Sequence, residues 1–118
     1  MAYDEELAGR IRELLIDESE LSEMPMFGGL AFLINGNMSV AVSSKGGLLV
    51  RIAPGATDEA LARPHVSLME MGKRRMRGWI RVAPEGLGTK RELGAWVRRG
   101  VGYAHALPAK EAGRPGRR

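Results

Sequence analysis

The sequence predicts an α+β fold, in which an antiparallel β-sheet of four to five strands is packed on one face by helices. Helical periodicity near both ends of the chain and short alternating apolar runs between them predict it, in the order α-β-β-β(-β)-α-β-α. A length of 118 residues suits a single core. We therefore expect one domain over residues 1–107 and a disordered basic tail over residues 108–118, which has no apolar periodicity.

The first predicted element is a helix over residues 4–17. Its apolar residues recur at i, i+4, i+7 and i+8, so they form one stripe: Leu7, Ile11, Leu14 and Leu15. Asp4 is the expected N-cap, and Glu5 and Glu6 would favour the positive end of the helix dipole.

A β-meander is predicted next. Residues 30–34 and 38–42 form a hairpin around the turn 35–37, whose Asn and Gly residues tolerate positive φ. A second turn at 43–47 leads to a strand at 48–52.

Another strand, at residues 24–27, would precede the meander. It would bend at Gly28 and Gly29, where glycine permits a bulge or a close approach of two backbones. Met24 and Met26 would share one face of that strand, and we favour core packing over an adaptable binding surface for the seven methionines.

The second half of the chain predicts a short helix at 57–62, stopped by Pro64, and a strand at 78–82. The last helix begins at Thr89, because Thr89 and Glu92 fit a capping box. Its apolar face follows helical spacing: Leu93, Trp96, Val97, Val101 and Ala104.

Several classes of chemistry lack their residues. The chain has no cysteine, and His65 and His105 are far apart without a second ligand at helical spacing, so we expect no metal site. Ser43 and Ser44 lie in a predicted turn without a nucleophile elbow. We therefore expect no enzymatic activity and no cofactor.

The N-terminus is acidic where a secretory signal is basic, and the longest apolar run is too short to cross a bilayer. These features predict a cytoplasmic protein without membrane contact.

Charge is distributed unevenly along the chain. Residues 1–23 hold eight acidic and two basic residues, and the remaining residues make the whole chain +4. One segment concentrates cations around an aromatic ring, a pattern that can contact phosphates while the ring stacks or packs. Its candidate nucleic-acid-binding residues are Lys73, Arg74, Arg75, Arg77, Trp79 and Arg81. A solvated basic loop that enters a strand with a buried Trp79 is the alternative interpretation. Arg98 and Arg99 would extend the patch if folding brings them near.

Five short sequence blocks follow one another within residues 3–107, and each occurs once: Met26-Phe27-Gly28-Gly29-Leu30-Ala31-Phe32, Gly36-Asn37-Met38, Leu48-Leu49-Val50-Arg51, Ala60-Leu61-Ala62-Arg63-Pro64 and Met76-Arg77-Gly78-Trp79. In order and spacing they resemble the TfoX (Sxy) N-terminal domain family. The resemblance implies a secretion-chaperone-like α+β fold and a link to natural competence, in which full-length TfoX proteins act as co-activators with the cyclic-AMP receptor protein. Those regulators carry a second, C-terminal helical domain, and the family offers no catalytic residues.

We therefore expect a non-enzymatic regulatory or binding module whose partner is a protein, with the transcription machinery as the expected class. Direct nucleic-acid binding through residues 73–81 is the alternative. An exposed sheet edge would also allow a homodimer.

Overall fold

The computed structural model describes residues 3–26, 28–71 and 74–108, and within them all side chains but those of 71 and 74–76. The helices are α1 (Glu5–Leu14), α2 (Thr57–Leu61) and α3 (Lys90–Ala106). The strands are β1 (Leu21–Met26), β2 (Gly29–Ile34), β3 (Asn37–Val42), β4 (Leu48–Arg51), β5 (Val66–Met71) and β6 (Arg74–Val82). Short 3-10 turns at Pro54–Ala56 and Pro84–Gly86 precede α2 and α3.

The strands form one antiparallel sheet in the order β1-β2-β3-β4-β6-β5. The α+β class and the sequence order of the predicted elements are therefore confirmed, but the predicted strand count was too low. β5 was missed, and β6 begins at Arg74 instead of residue 78. The pairing of these two strands shifts register at Leu68/Met69, so β5 lacks the continuous alternation by which a strand is recognised. The cations at the start of β6 also show no apolar face.

The predicted N-cap of α1 is confirmed: the Asp4 carboxylate accepts a hydrogen bond from the Leu7 amide at 3.1 Å. This helix ends at Leu14, earlier than predicted, and the Leu15 amide bonds back to the last turn. The Arg12 guanidinium then reaches the Glu23 carboxylate on β1 at 2.8 Å. α1 is thereby tied to the edge of the sheet.

α3 begins with the predicted capping box. The Thr89 hydroxyl accepts from the Glu92 amide at 3.0 Å, and the Glu92 carboxylate accepts from the Thr89 amide at 3.1 Å. After the helix, the Pro108 carbonyl accepts from Asn37 Nδ2 at 2.9 Å. The predicted disordered tail otherwise lies outside the described residues, as does Phe27 of the predicted first strand.

The turn residues of the meander follow the predicted pattern. Asn35 and Gly36 both have positive φ, as expected between β2 and β3. A Cβ on Gly29 would lie 2.0 Å from the Val42 carbonyl oxygen, so the predicted close approach of two backbones is confirmed there.

The main core lies between the sheet and the helices. It takes Leu7 and Ile11 from α1, Leu93, Trp96 and Val97 from α3, and alternate residues of the strands: Leu30, Phe32, Ile34, Val40, Val42, Leu48, Val50, Ile80 and Val82. The opposite residues of the same strands form a second, smaller cluster: Ala31, Leu33, Ala41, Leu49 and Met69. The described helices all pack on the first face.

Candidate interaction surface

β6 positions the aromatic residue of the basic segment. Trp79 lies opposite Arg51 of β4 in the antiparallel register. Directly paired residues share a face of a sheet, so both belong to the face that bears the smaller cluster. Trp79 is partly buried against that cluster. The interpretation of a basic loop does not hold for Arg74 to Arg77, because β6 includes them.

The Arg51 guanidinium lies between two aromatic rings. It is 5.8 Å from the Trp79 ring centroid and 5.7 Å from that of Tyr103 on α3. Both distances suit cation–π attraction, which positions the guanidinium without neutralising its positive charge. Arg51 was not among the predicted site residues. Val50 belongs to the main core, so alternation along β4 puts Arg51 on the other face, but no local signal indicated that β4 pairs with β6.

Arg77 points to α2. Its guanidinium is 3.3 Å from the Asp58 carboxylate, and it also approaches the Pro54 carbonyl at 3.5 Å. The side chain remains 55% exposed, so this ion pair is a surface one.

Gly78 follows with a φ of +86° and interrupts the alternation of β6. Its amide donates to the Thr57 hydroxyl at 3.0 Å, and that hydroxyl donates to the Pro54 carbonyl at 2.7 Å. Thr57 is fully buried. The sequence had indicated Thr57 only as a helix start, so its second role, in anchoring β6, was missed.

Arg81 supports the turn between β3 and β4. Its Nη2 donates to the Lys45 carbonyl at 3.1 Å and to the Gly46 carbonyl at 2.7 Å. Thus Arg77 and Arg81 both make intramolecular contacts, at different places along β6. Lys73 lies outside the described residues, and the side chains of Arg74 and Arg75 are likewise not described, so their predicted contacts stay predictions.

Arg99 also lies beside α2, where it ion-pairs with Glu59 and packs on Trp96. Arg98 extends along its own helix toward Gly94. Two arginines therefore form ion pairs with α2: Arg77 with Asp58, and Arg99 with the adjacent Glu59.

We call the apolar surface opposite the helices the methionine face. It consists of Met24, Met26, Ala31, Leu33, Met38, Ala41, Leu49, Met69 and Trp79. Its centre is dry, since Ala31, Ala41 and Leu49 are buried. Its rim is more open: Met24, which pairs with Ala31, is 39% exposed. The expectation of core packing therefore holds for Met69 but not for Met24.

The methionine face offers flexible thioethers beside a rigid indole and a guanidinium. Methionine adapts to differently shaped apolar partners, and Trp and Arg are enriched where protein interfaces concentrate binding energy. Within the described residues, no three potential metal ligands come together, and no helix has the length and apolarity that a membrane span requires.

The chain matches the family model of the TfoX N-terminal domain over residues 13–104. No curated protein and no solved structure matches the chain significantly. The matched segment begins near the end of α1, runs to α3 and contains the whole sheet. It therefore includes the methionine face and the buried residues of the main core except Leu7, Ala8 and Ile11 of α1. The chain therefore belongs to the TfoX N-terminal domain family.

Proposed function

We propose that this chain is a non-enzymatic binding module that acts in transcriptional regulation of the competence type, through contact with a protein of the transcription machinery. The methionine face is the observation that carries the proposal. It combines an apolar centre with a partly exposed rim of Met24, Met26, Met38 and Trp79. Family membership supports the regulatory context.

The proposed partner would bury the open rim and leave the centre unchanged. Met24 and Met26 lie on β1, an edge strand whose outer side pairs with no strand among the described residues. Pro25 between them removes one backbone donor, which disfavours simple strand addition at this edge. Recognition through side chains of the methionine face is therefore the favoured mode.

Purified RNA polymerase and purified cyclic-AMP receptor protein are the appropriate probes. We expect the full chain to bind one of them, and Met24→Glu with Met26→Glu to weaken that binding strongly, since two carboxylates would be desolvated at the interface. Ile16→Glu is the matched control, because Ile16 is 79% exposed and follows α1 on the helix side.

Failure of the chain to bind either probe, together with unchanged transcript levels after deletion of its gene, would contradict the proposal. Equal weakening by the Ile16 variant would place the contact elsewhere than the methionine face.

Direct nucleic-acid binding through Lys73, Arg74, Arg75, Arg77, Trp79 and Arg81 is the second candidate. The position of Arg51 beside Trp79 supports it, since it adds a cation next to an aromatic ring. If four or five phosphates of a duplex are contacted, log affinity should fall with log salt at a slope of about −4.

The variant Arg74→Glu with Arg75→Glu should then bind duplex much more weakly. Lys90→Glu with Arg10→Glu changes net charge equally on the helices and serves as its control. Affinity that is indifferent to salt, or equal in both variants, would eliminate this candidate.

A further inference from the structure

A groove on the helix side of the molecule lies apart from the methionine face. It is enclosed by the segment that leads from α2 into β5, by the turn before α3 and by the first turns of α3. Its volume is about 400 Å³, within the range of roughly 300–1,000 Å³ that small-molecule sites occupy. Cations dominate its walls, and the charged or titratable lining residues are Arg63, His65, Arg91, Glu92 and Arg99.

The floor of this groove is the Trp96 indole, which is only 8% exposed. The Arg63 guanidinium lies 5.7 Å and that of Arg99 5.6 Å from the ring centroid. The indole attracts both cations, so they are held at one place although they come from different elements.

One carboxylate, Glu59 of α2, orients the same two guanidinium groups. It accepts from Arg63 Nε at 3.2 Å and from Arg99 Nη2. The hydrogen bond from Arg99 lowers the pKa of Glu59 the most, and the hydrogen bond from Arg63 lowers it further. The carboxylate is therefore ionised at neutral pH and offsets one of the two positive charges. Each guanidinium has five N–H donors, and Glu59 uses one of each.

The remaining walls add donors that have no protein acceptor. The side chains of Arg91 and His65 make no hydrogen bond or ion pair with the part of the chain that the structure describes. The one carboxylate of the lining, Glu92, is engaged by the amide and hydroxyl of Thr89 in the capping box. The groove thus presents three guanidinium groups and only one lining carboxylate, which is already hydrogen-bonded.

We propose that this groove binds a small multivalent anion, bearing either phosphate or carboxylate groups. The planar guanidinium fork matches both kinds of oxyanion and remains charged at any physiological pH. Arg63 and Arg99 are already positioned by Trp96 and Glu59, so little conformational entropy is lost when an anion binds. Arg91 closes the site from α3. The groove lies on the opposite side of the sheet from the methionine face, so anion binding there does not depend on the proposed function.

Isothermal titration of the full chain at physiological salt tests the proposal, with inorganic pyrophosphate and citrate as separate probes. Binding of pyrophosphate alone assigns a phosphate ligand, and binding of citrate alone a carboxylate ligand. Binding of both supports the shared chemistry. The proposal would be overturned if neither probe, at millimolar concentration, produced heat of binding in the titration or a chemical-shift change in the NMR spectrum of the chain.

Two variants locate the site. Arg91→Ala should weaken binding by about tenfold, because a charge-assisted hydrogen bond is lost, while it should not affect folding since Arg91 has no intramolecular partner among the described residues. Arg98→Ala removes an exposed arginine from the same helix outside the groove and should leave affinity unchanged.

Fluorescence of Trp96 in a Trp79→Phe background gives a local readout, and it should change on binding with the same dissociation constant. Equal affinity of the Arg91 and Arg98 variants would show that net charge alone attracts the anion, and would overturn the proposed site.

Discussion

Gly100 lies where α3 packs closely on β3. A Cβ there would lie 2.5 Å from the Ser39 carbonyl oxygen and 2.8 Å from Val40 Cγ1. Backbone atoms of a central strand cannot move aside without disturbing both neighbouring strands. The close packing of α3 on β3 therefore depends on the missing side chain.

We predict that Gly100→Ala lowers the free energy of unfolding by about 1–2 kcal/mol, because overpacking outweighs the gain in helix propensity. Gly102→Ala is the matched control, since nothing lies within 4 Å of its Cβ position. It should raise the free energy of unfolding by up to about 1 kcal/mol. Urea unfolding checks both, and the same sign of change in both variants would contradict the packing argument.

Thr57 gives a second prediction for a single residue. Thr57→Val keeps the shape of the side chain but leaves the buried Gly78 amide without its acceptor. We expect a loss of about 1–3 kcal/mol in unfolding free energy. Thr57→Ser retains the hydroxyl and should restore most of that loss, as measured by chemical denaturation. A loss of stability in Thr57→Ser as large as that in Thr57→Val would contradict the assignment of the effect to the hydroxyl.

Among the elements, α3 depends on its first turn. Thr89→Ala removes the side chain that caps the Glu92 amide, and we expect it to cost about 1 kcal/mol of stability. Thr89→Ser should be close to the parent protein, because it preserves the acceptor. Thermal unfolding followed by circular dichroism provides the measurement. An unchanged Thr89→Ala protein would mean that packing alone holds this end of α3.

The contact between α1 and β1 predicts a dependence on pH. The hydrogen bond from Arg12 lowers the pKa of Glu23. A carboxyl group whose pKa is lower in the folded than in the unfolded state adds stability above its unfolded value, which is about 4.3 for glutamate, and this stability is lost as pH falls through the folded value.

Glu23→Gln should therefore reduce the unfolding free energy at neutral pH by less than about 1 kcal/mol, as for other exposed pairs. The difference from the parent protein should shrink as the solution is acidified. Glu20→Gln, at a carboxylate with no cation partner among the described residues, is the control. If the difference in unfolding free energy between Glu23→Gln and the parent protein grew on acidification, the pKa of Glu23 would be raised by folding and not lowered.

The two apolar clusters occupy opposite faces of one sheet and share its strands. Trp96 reports on the main core, and Trp79 reports on the methionine face. Neither cluster can lose its strands without exposing the other. The fold should therefore unfold as one cooperative unit.

We predict that the single-tryptophan variants Trp79→Phe and Trp96→Phe each show a fluorescence transition that coincides with loss of the circular dichroism signal. Each variant is its own control, because both signals are recorded on the same sample. A fluorescence midpoint for Trp79 well below the circular dichroism midpoint would reveal independent unfolding of the methionine face.

Local patterns were sufficient for much of the fold. The Asp4 cap, the Thr89 and Glu92 capping box, the Asn35 turn and the alternation of β2 to β4 each depend on residues within a few positions of one another. Such features arise from backbone sterics and nearby hydrogen bonds, so they can be predicted without knowledge of the rest of the chain. The family resemblance also depends on short local blocks of sequence, and the match to the family model confirms it.

Pairings between distant segments required the folded chain. β6 pairs with its sequence neighbour β5 on one side and with the more distant β4 on the other. The pairing with β4 brings Trp79 next to Arg51. α2 places Glu59 beside Arg63, its helical neighbour, and Arg99, which is 40 positions away. These contacts follow from which apolar faces are buried together, and burial is a property of the whole sheet that the spacing of residues along one strand does not contain.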